Sequence, residues 1–221
     1  MNAADWKKKG EFMNVFGKNI FVIDSQKNNS NSTKKPKETL VILHGYPTSS
    51  YDYYKVLPAL SEKFRVIIHD HLGFGFSDKP IDYSYSLIEQ ADIALQLWKQ
   101  LKLTKVTLLA HDYGTSVATE IVARHNKNQI NLEIKELILS NGSMHIEYSK
   151  LKTIQKLLKN KYTGKFVANF TNYFIYQKNM RNTYYNASKI TKEELQEMWF
   201  QLDCNNGRKV IHKLTNYINE R

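Results

Sequence analysis

Apolar residues fall in short runs over roughly the first 140 positions, and most runs are followed by a stretch with helical spacing. Residues 39–43, 64–69, 105–109 and 134–139 are rich in Val, Ile and Leu and have the length of buried strands. Between them, residues 86–101 and 113–125 repeat apolar positions every three or four residues. In the first, Leu87, Ala91, Ala94, Trp98 and Leu101 share one face, and Ser86 with Glu89 has the form of a capping box. In the second, Val117, Ile121 and Val122 are apolar. Residues 52–60 suggest a shorter helix. Residues 11–25 read as two short strands joined at Gly17, Lys18 and Asn19. Short apolar strands alternating with amphipathic helices predict an α/β fold, with a mostly parallel sheet covered by helices on both faces.

Two stretches break this rhythm. Residues 26–37, QKNNSNSTKKPK, hold one proline and no apolar side chain, and are expected to form a mobile surface loop. After Asn141 no strand pattern returns. From Met144 onward the spacing is helical only, rich in Tyr, Phe, Lys and Asn. Thr191 with Glu194 gives a second capping box, and Gly207 separates two late helices. The expected division is a core over residues 1–143 and a helical cap over residues 144–221.

Composition narrows the function classes. Of the 221 residues 42% are hydrophobic, enough for a real core. No run approaches the roughly 20 apolar residues that span a bilayer, and the first residues lack the apolar segment of a signal peptide. Cys204 is the only cysteine, so an internal disulfide is excluded. A reducing, cytoplasmic setting is the expectation, with the periphery of an intracellular membrane as the alternative. The formal charge is +11, but the lysines are scattered and no nucleic-acid-binding motif appears, so no nucleic-acid partner is expected. The charge is uneven: residues 145–221 carry 14 Lys or Arg against 6 Asp or Glu. This basic C-terminal third suits an anionic membrane surface.

Residues 108–116, LLAHDYGTS, place an aspartate where an apolar strand meets a helix. Ala110-His111-Asp112-Tyr113-Gly114 follows the pattern small, any, nucleophile, any, small. A nucleophile at the crest of such a turn needs small neighbours for close strand–helix approach, and the following helix directs N–H groups at it. Where serine would need a base to become reactive, an ordinary aspartate, with a pKa of about 3.9, is already ionised at neutral pH. A carboxylate can displace a leaving group from an sp³ carbon and form an alkyl–enzyme ester. A base is needed afterwards, to activate the water that cleaves it. The competing role for Asp112 is a simple helix N-cap. Residues 43–47, LHGYP, end another strand; the N–H groups of Tyr46 and Tyr113 would then form a two-donor oxyanion hole. Residues 70–80, DHLGFGFSDKP, contain G-x-G without a third glycine or a following helix, which argues against a dinucleotide fingerprint. That stretch reads as a loop packed beside the nucleophile turn, with no catalytic role.

These stretches, in this order, resemble the α/β-hydrolase superfamily. More narrowly, they look like its Asp-nucleophile branch of epoxide hydrolases and haloalkane dehalogenases, and most of all like the mesoderm-specific transcript protein family. LHGYPTSSYDYYK, HLGFGFSDKP, HDYG, LSNGS and VIHKLTNYINER carry the resemblance, which spans residues 6–221. It implies Asp112 as nucleophile, Tyr46 and Tyr113 as oxyanion donors, and a helical cap inserted after the sixth strand. Cap tyrosines of epoxide hydrolases donate to the leaving oxygen. The candidates here are Tyr162, Tyr173, Tyr176, Tyr184 and Tyr185, with Trp199 lining or packing the cap. The implied substrate is small, hydrophobic and epoxide-like, and the chemistry requires no cofactor and no metal.

The sequence also departs from that family. Dehalogenases usually carry a halide-binding Trp after the nucleophile and often an Asn after His-Gly, where this chain has Tyr113 and Tyr46. Epoxide hydrolases also favour Trp after the Asp. The family's catalytic His follows the last strand, yet none of His44, His69, His71, His111, His125, His145 and His212 stands in such a place. Asn141 occupies a site where some relatives keep their acid; Glu147 is nearby without a motif. The expectation is a C-terminally truncated hydrolase, lacking the last strands and helices of the core. Asp112 would react once and stay esterified, and strand 134–139 would be an exposed apolar edge. The alternative is a catalytically inactive binding protein of the same fold that touches membrane through its basic cap. A Ser esterase is disfavoured, since Ser116 lies inside the helix and Ser49 and Ser50 in a loop.

Overall fold

The computed structural model describes residues 1–27, 37–142 and 151–220. Residues 28–36 of the polar stretch, the core–cap boundary at residues 143–144, His145 and Glu147 lie outside the described residues. The alternating pattern builds a six-stranded sheet. Its strands are β1 (Glu11–Val15), β2 (Lys18–Asp24), β3 (Thr39–Leu43), β4 (Arg65–His69), β5 (Lys105–His111) and β6 (Glu133–Ser140), in the order β1-β2-β4-β3-β5-β6. β1 and β2 pair antiparallel, as do β2 and β4; β4, β3, β5 and β6 run parallel. The β1–β2 turn falls one residue earlier than the sequence suggests. Phe16 and Gly17 take the positive φ angles, 51° and 76°, which a two-residue hairpin with the right twist requires, and Lys18 and Asn19 already pair within the ladder.

Helices cover both faces. On one side α3 (Leu87–Gln100) and α4 (Tyr113–Asn126) pack Leu97, Trp98, Val117 and Ile121 against β3 and β5. On the other, α1 (Ala3–Lys7) and α2 (Leu57–Lys63) bury Trp6 and Leu57 against Phe21, Ile42 and Ile68. The single short helix expected over 52–60 is instead a 3-10 turn, Ser50–Tyr53, followed by α2. Pro58 sits in the first turn of α2, where its missing N–H costs no hydrogen bond. β6 is an edge of the described sheet, and Leu137, Ile138 and Leu139 are each about two-fifths exposed.

Beyond the sheet the chain is helical: α5 (Thr153–Lys159), α6 (Gly164–Phe170), α7 (Tyr173–Arg181), α8 (Lys192–Asp203) and α9 (Gly207–Leu214). A Cβ on Gly207 would lie 1.8 Å from the Leu202 carbonyl oxygen, so the α8–α9 corner admits only glycine. These helices dock onto the sheet layer rather than standing apart. Val210, Leu214, Tyr217 and Ile218 join the α3–α4 core. Ser49 Oγ donates to Gln201 Oε1 at 2.9 Å, and the Leu87 N–H donates to Glu220 Oε2 at 2.7 Å. No helix among the described residues is long and apolar enough to cross a membrane.

Candidate active site

β5 runs through Ala110 and His111 into Asp112, and α4 begins at the next residue. Asp112 has φ 49° and ψ −114°, a conformation that L-residues rarely adopt and that persists only when its surroundings impose it. The surroundings here are a set of backbone bonds. The Asp112 N–H donates to the Ser140 carbonyl at 3.0 Å, and the Asp112 carbonyl accepts from Thr115 N–H at 3.0 Å and Thr115 Oγ1 at 2.6 Å. Two glycines permit the crowding. A Cβ on Gly114 would stand 2.5 Å from the Leu43 carbonyl oxygen, and one on Gly45 would stand 2.9 Å from the Asp112 Cβ.

This turn aims the carboxyl at two backbone donors. Oδ1 of Asp112 accepts from the Tyr113 N–H at 2.7 Å and from the Tyr46 N–H at 2.8 Å. Oδ2 takes no hydrogen bond among the described residues. Asp112 therefore caps α4 through the Tyr113 N–H, but half of its hold comes from residue 46, on a different strand end. Tyr46 is fixed at its far end by a 2.9 Å hydrogen bond between its hydroxyl and Thr215 Oγ1. Its ring stands edge-on to Phe74, with centroids 6.2 Å apart. Tyr113 is fully buried against Phe74 and Tyr217, at 5.1 and 4.9 Å.

The loop after β4 braces the turn, as its sequence suggests. Asp70 is fully buried and accepts from the Ser50 N–H at 2.8 Å and the Phe76 N–H at 2.7 Å. Its carbonyl accepts from Ser77 Oγ at 2.6 Å. Three buried histidines lie behind it: His44 and His71 have ring centroids 4.5 Å apart, and His69 lies 5.1 Å from His71. His44 Nε2 accepts from the His71 N–H at 3.0 Å, which leaves Nδ1 to donate to the Gly45 carbonyl at 2.9 Å. Burial lowers the pKa of all three, His69 to about 3, so each is neutral. None lines the space above Asp112.

That space is a cavity of about 230 Å³ between the turn and the cap. Asp112, Tyr46 and Pro47 form its floor. Its walls are mainly apolar, from Ile154, Leu158, Ile175, Tyr176, Met180 and Ile211, with Lys152, Gln155, Thr171, Asn179 and Thr183 between them. An apolar pocket with few polar groups suits a small hydrophobic ligand. A wider groove of about 860 Å³ between Phe16, Tyr83 and α3 lies away from this chemistry.

Of the five cap tyrosines singled out in the sequence, Tyr176 alone lines the cavity among the described residues. Its hydroxyl is buried without a hydrogen-bond partner, and burial, then the nearby Asp52 carboxyl, raises its pKa well above that of a free tyrosine. Trp199 does not reach the cavity wall; it packs on Tyr176 and Tyr173 with centroids 5.4 and 6.4 Å away. Tyr173 turns outward and donates to the Lys192 carbonyl at 3.4 Å. Tyr162 and Tyr185 are exposed, and Tyr184 sits half-exposed on the turn after α7, because these three fall on turns rather than on inward helix faces. Asp52 is the residue that sequence reasoning passed over: its Oδ1 is shut off from solvent and unpartnered. The one signal was a charge set inside the aromatic run SYDYY. Among the described residues no cluster of His, Cys, Asp and Glu is arranged to hold a metal ion.

A mostly parallel sheet, a strained strand–helix turn with an acidic side chain at its crest and a helical lid above define a protein of the α/β-hydrolase class. Residues 38–177 match the α/β hydrolase fold family, and the chain belongs to it. The mesoderm-specific transcript protein of Mus musculus is 39% identical over 221 residues, which cover 98% of this chain and 64% of that protein. The chain thus spans a little under two thirds of that relative's length. LipZ of Mycobacterium tuberculosis is 33% identical over 220 residues, covering 100% of this chain and 73% of LipZ. The solved structure of the epoxide hydrolase CorEH without ligand superposes with a TM-score of 0.74 at 19% identity, over 94% of this chain and 72% of that one. That last similarity is one of fold.

Proposed function

We propose that the cavity binds a small apolar epoxide-like molecule and that Asp112 attacks it. Asp112 Oδ2 forms a bond to a ring carbon, the carbon–oxygen bond breaks, and its electron pair moves to the ring oxygen, which takes the proton of the Tyr176 hydroxyl. Tyr176 suits that role because it lines the same cavity, and its burial keeps the phenol protonated. The observation that carries the reading is the double hold on Oδ1. Once Oδ2 is alkylated, Oδ1 becomes the ester carbonyl, already seated 2.7 and 2.8 Å from two N–H donors. Those are the distances at which backbone donors stabilise a tetrahedral oxyanion.

Ester cleavage needs a base for the attacking water. Among the described residues no histidine lines the cavity. The 221-residue chain is accordingly expected to accumulate the alkyl ester on Asp112. Intact-protein mass spectrometry after incubation with styrene oxide tests this. One added epoxide per chain is expected, mapped to the peptide containing Asp112 and absent from Asp112→Asn. Steady diol release without an adduct would refute accumulation. Neither adduct nor diol from a panel of terminal epoxides, or an adduct that survives in Asp112→Asn, would refute the nucleophile itself.

A further inference from the structure

Residues 151–191, which contain α5, α6 and α7, carry eight Lys or Arg and no Asp or Glu. This stretch, about a fifth of the chain, thus holds eight of its eleven net positive charges. Lys152, Lys156, Lys161, Lys165 and Lys178 are exposed, and none of the eight cations forms an ion pair with a described carboxylate. The same helices hold large apolar side chains in solvent. Phe166 and Phe170 are each 64% exposed, Phe174 78% and Tyr162 87%. Apolar residues scattered singly over a surface need no explanation, but these are gathered. Phe166 and Phe170 lie one turn apart on α6 with ring centroids 4.4 Å apart, and Phe174 follows in the first turn of α7. The outer face of α6 reads Lys165, Phe166, Asn169 and Phe170, while Ala168 faces inward. This surface borders the cavity above Asp112. Lys152 and Ile175 line that cavity and are themselves exposed, so its mouth opens between the start of α5 and α7.

We propose that the outer face of α5, α6 and α7 docks on the surface of an anionic phospholipid bilayer. Phe166, Phe170 and Phe174 enter the headgroup layer, and the lysines around them contact the lipid phosphates and carboxylates. Helices that combine a lysine-rich surface with exposed Phe or Leu lie in this interface, held by apolar burial and by attraction to anionic lipid. Charge complementarity selects the lipid over a second copy of this chain. A symmetric dimer would bring this face against itself, with eight cations opposing eight. The phenylalanines offer a polar polyanion no hydrogen bond, and the adjoining cavity is mainly apolar, which favours a partner that carries hydrocarbon. An apolar ligand concentrates in a bilayer, so docking here sets the mouth of the cavity at the source of its ligand. That delivery rests on the reading of Asp112 given above; the docking does not.

Co-sedimentation of the whole chain with vesicles of phosphatidylcholine, with and without phosphatidylserine, tests the docking. Binding is expected only with phosphatidylserine and should weaken as salt is raised. Lys156→Gln/Lys161→Gln/Lys165→Gln should weaken it roughly a hundredfold, at the usual contribution of a lysine near an anionic surface. Lys63→Gln/Lys99→Gln/Lys127→Gln removes as many exposed charges elsewhere and should leave it unchanged. All six side chains lie in solvent, so neither variant disturbs the core. Fluorescence of Phe170→Trp should be quenched by brominated lipid in the bound state. No binding, binding indifferent to phosphatidylserine, equal loss in the two lysine variants, or binding without quenching at residue 170 would each overturn the proposal. So would a dimer in sedimentation velocity that Phe166→Gln/Phe170→Gln/Phe174→Gln dissociates, or binding to heparin in place of vesicles. Asp112→Asn should bind the vesicles as the wild type does. If the wild type forms no adduct with styrene oxide, the ester reading fails while the vesicle measurements still decide the docking.

Discussion

The attack proposed for Asp112 would draw on backbone rather than on a neighbouring base. Its carboxyl is held by two N–H groups from separate strand ends, and that convergence needs α4 to touch the end of β3. Gly114 is the contact point. A methyl group there would press on the Leu43 carbonyl at 2.5 Å, and backbone on both sides leaves nothing flexible to yield. Gly114→Ala is therefore expected to destabilise the chain by about 1–3 kcal/mol, as overpacked cores do, and to slow alkylation by widening the gap between the two donors. Urea unfolding and adduct formation measure the two effects; wild-type values in both would mean that the close approach is dispensable. The same residues show why the strand–helix turn at Asp112 was legible in the sequence. Small residues around an acid at a strand end is a local pattern, and local patterns survive without knowledge of the rest of the fold. Tyr176 was one of five candidates because its selection depends on how the cap packs. Asp52 was passed over because the burial of its Oδ1 arises from the packing of the fold and not from the local sequence.

Elements differ in the same way. α3 was legible down to its cap, since the Ser86–Glu89 box and the apolar stripe of Leu87, Ala91, Ala94 and Trp98 are written within sixteen residues. Ser86 Oγ accepts from the Glu89 N–H at 3.2 Å, and Glu89 returns a bond to the Ser86 N–H at 3.2 Å. Ser86→Ala is expected to cost about 1 kcal/mol of stability, read as a lower urea midpoint at an unchanged slope. A change in slope would point instead to an altered denatured state. By contrast α5 and α6 have seven residues each and α7 has nine. Helices of that length are not stable on propensity alone, so although Asn172 caps α7 by accepting from the Ile175 N–H at 3.1 Å, they depend on contacts such as Tyr176 on Trp199. The split of residues 50–63 into a 3-10 turn and α2 has the same origin. The turn is fixed by the Ser50 N–H bonding to Asp70 and Tyr51 stacking on Tyr54, both read from the fold and not from period.

At the scale of the molecule, the net charge of +11 says less about stability than three uncharged histidines do. His44, His69 and His71 are buried together and held neutral, with burial the largest cause for each. Both ring nitrogens of His69 and of His71 lack partners, so neither gains anything by taking up a proton. In the unfolded chain the same side chains titrate near 6.5. From about pH 6.5 down towards 3, the unfolded state therefore binds protons that the folded state refuses, and stability falls as pH falls. Asp52 works the other way. With its carboxyl raised to about 7, the folded state keeps a proton that the unfolded chain releases between roughly pH 4 and 7, which offsets one histidine. His69 alone, neutral down to about pH 3, is offset by the Asp52 proton, and the lowered pKa values of His44 and His71 supply the remaining fall in stability as pH drops below 6.5. Urea unfolding from pH 8 to pH 4.5 should show stability nearly level above pH 7 and dropping steeply below 6. His69→Phe removes one titrating group while keeping a ring against Trp98, and should make the slope shallower. A profile flat to pH 5, or a slope that His69→Phe leaves unchanged, would show that the histidines behind the Asp112 turn are not what limits the fold in acid.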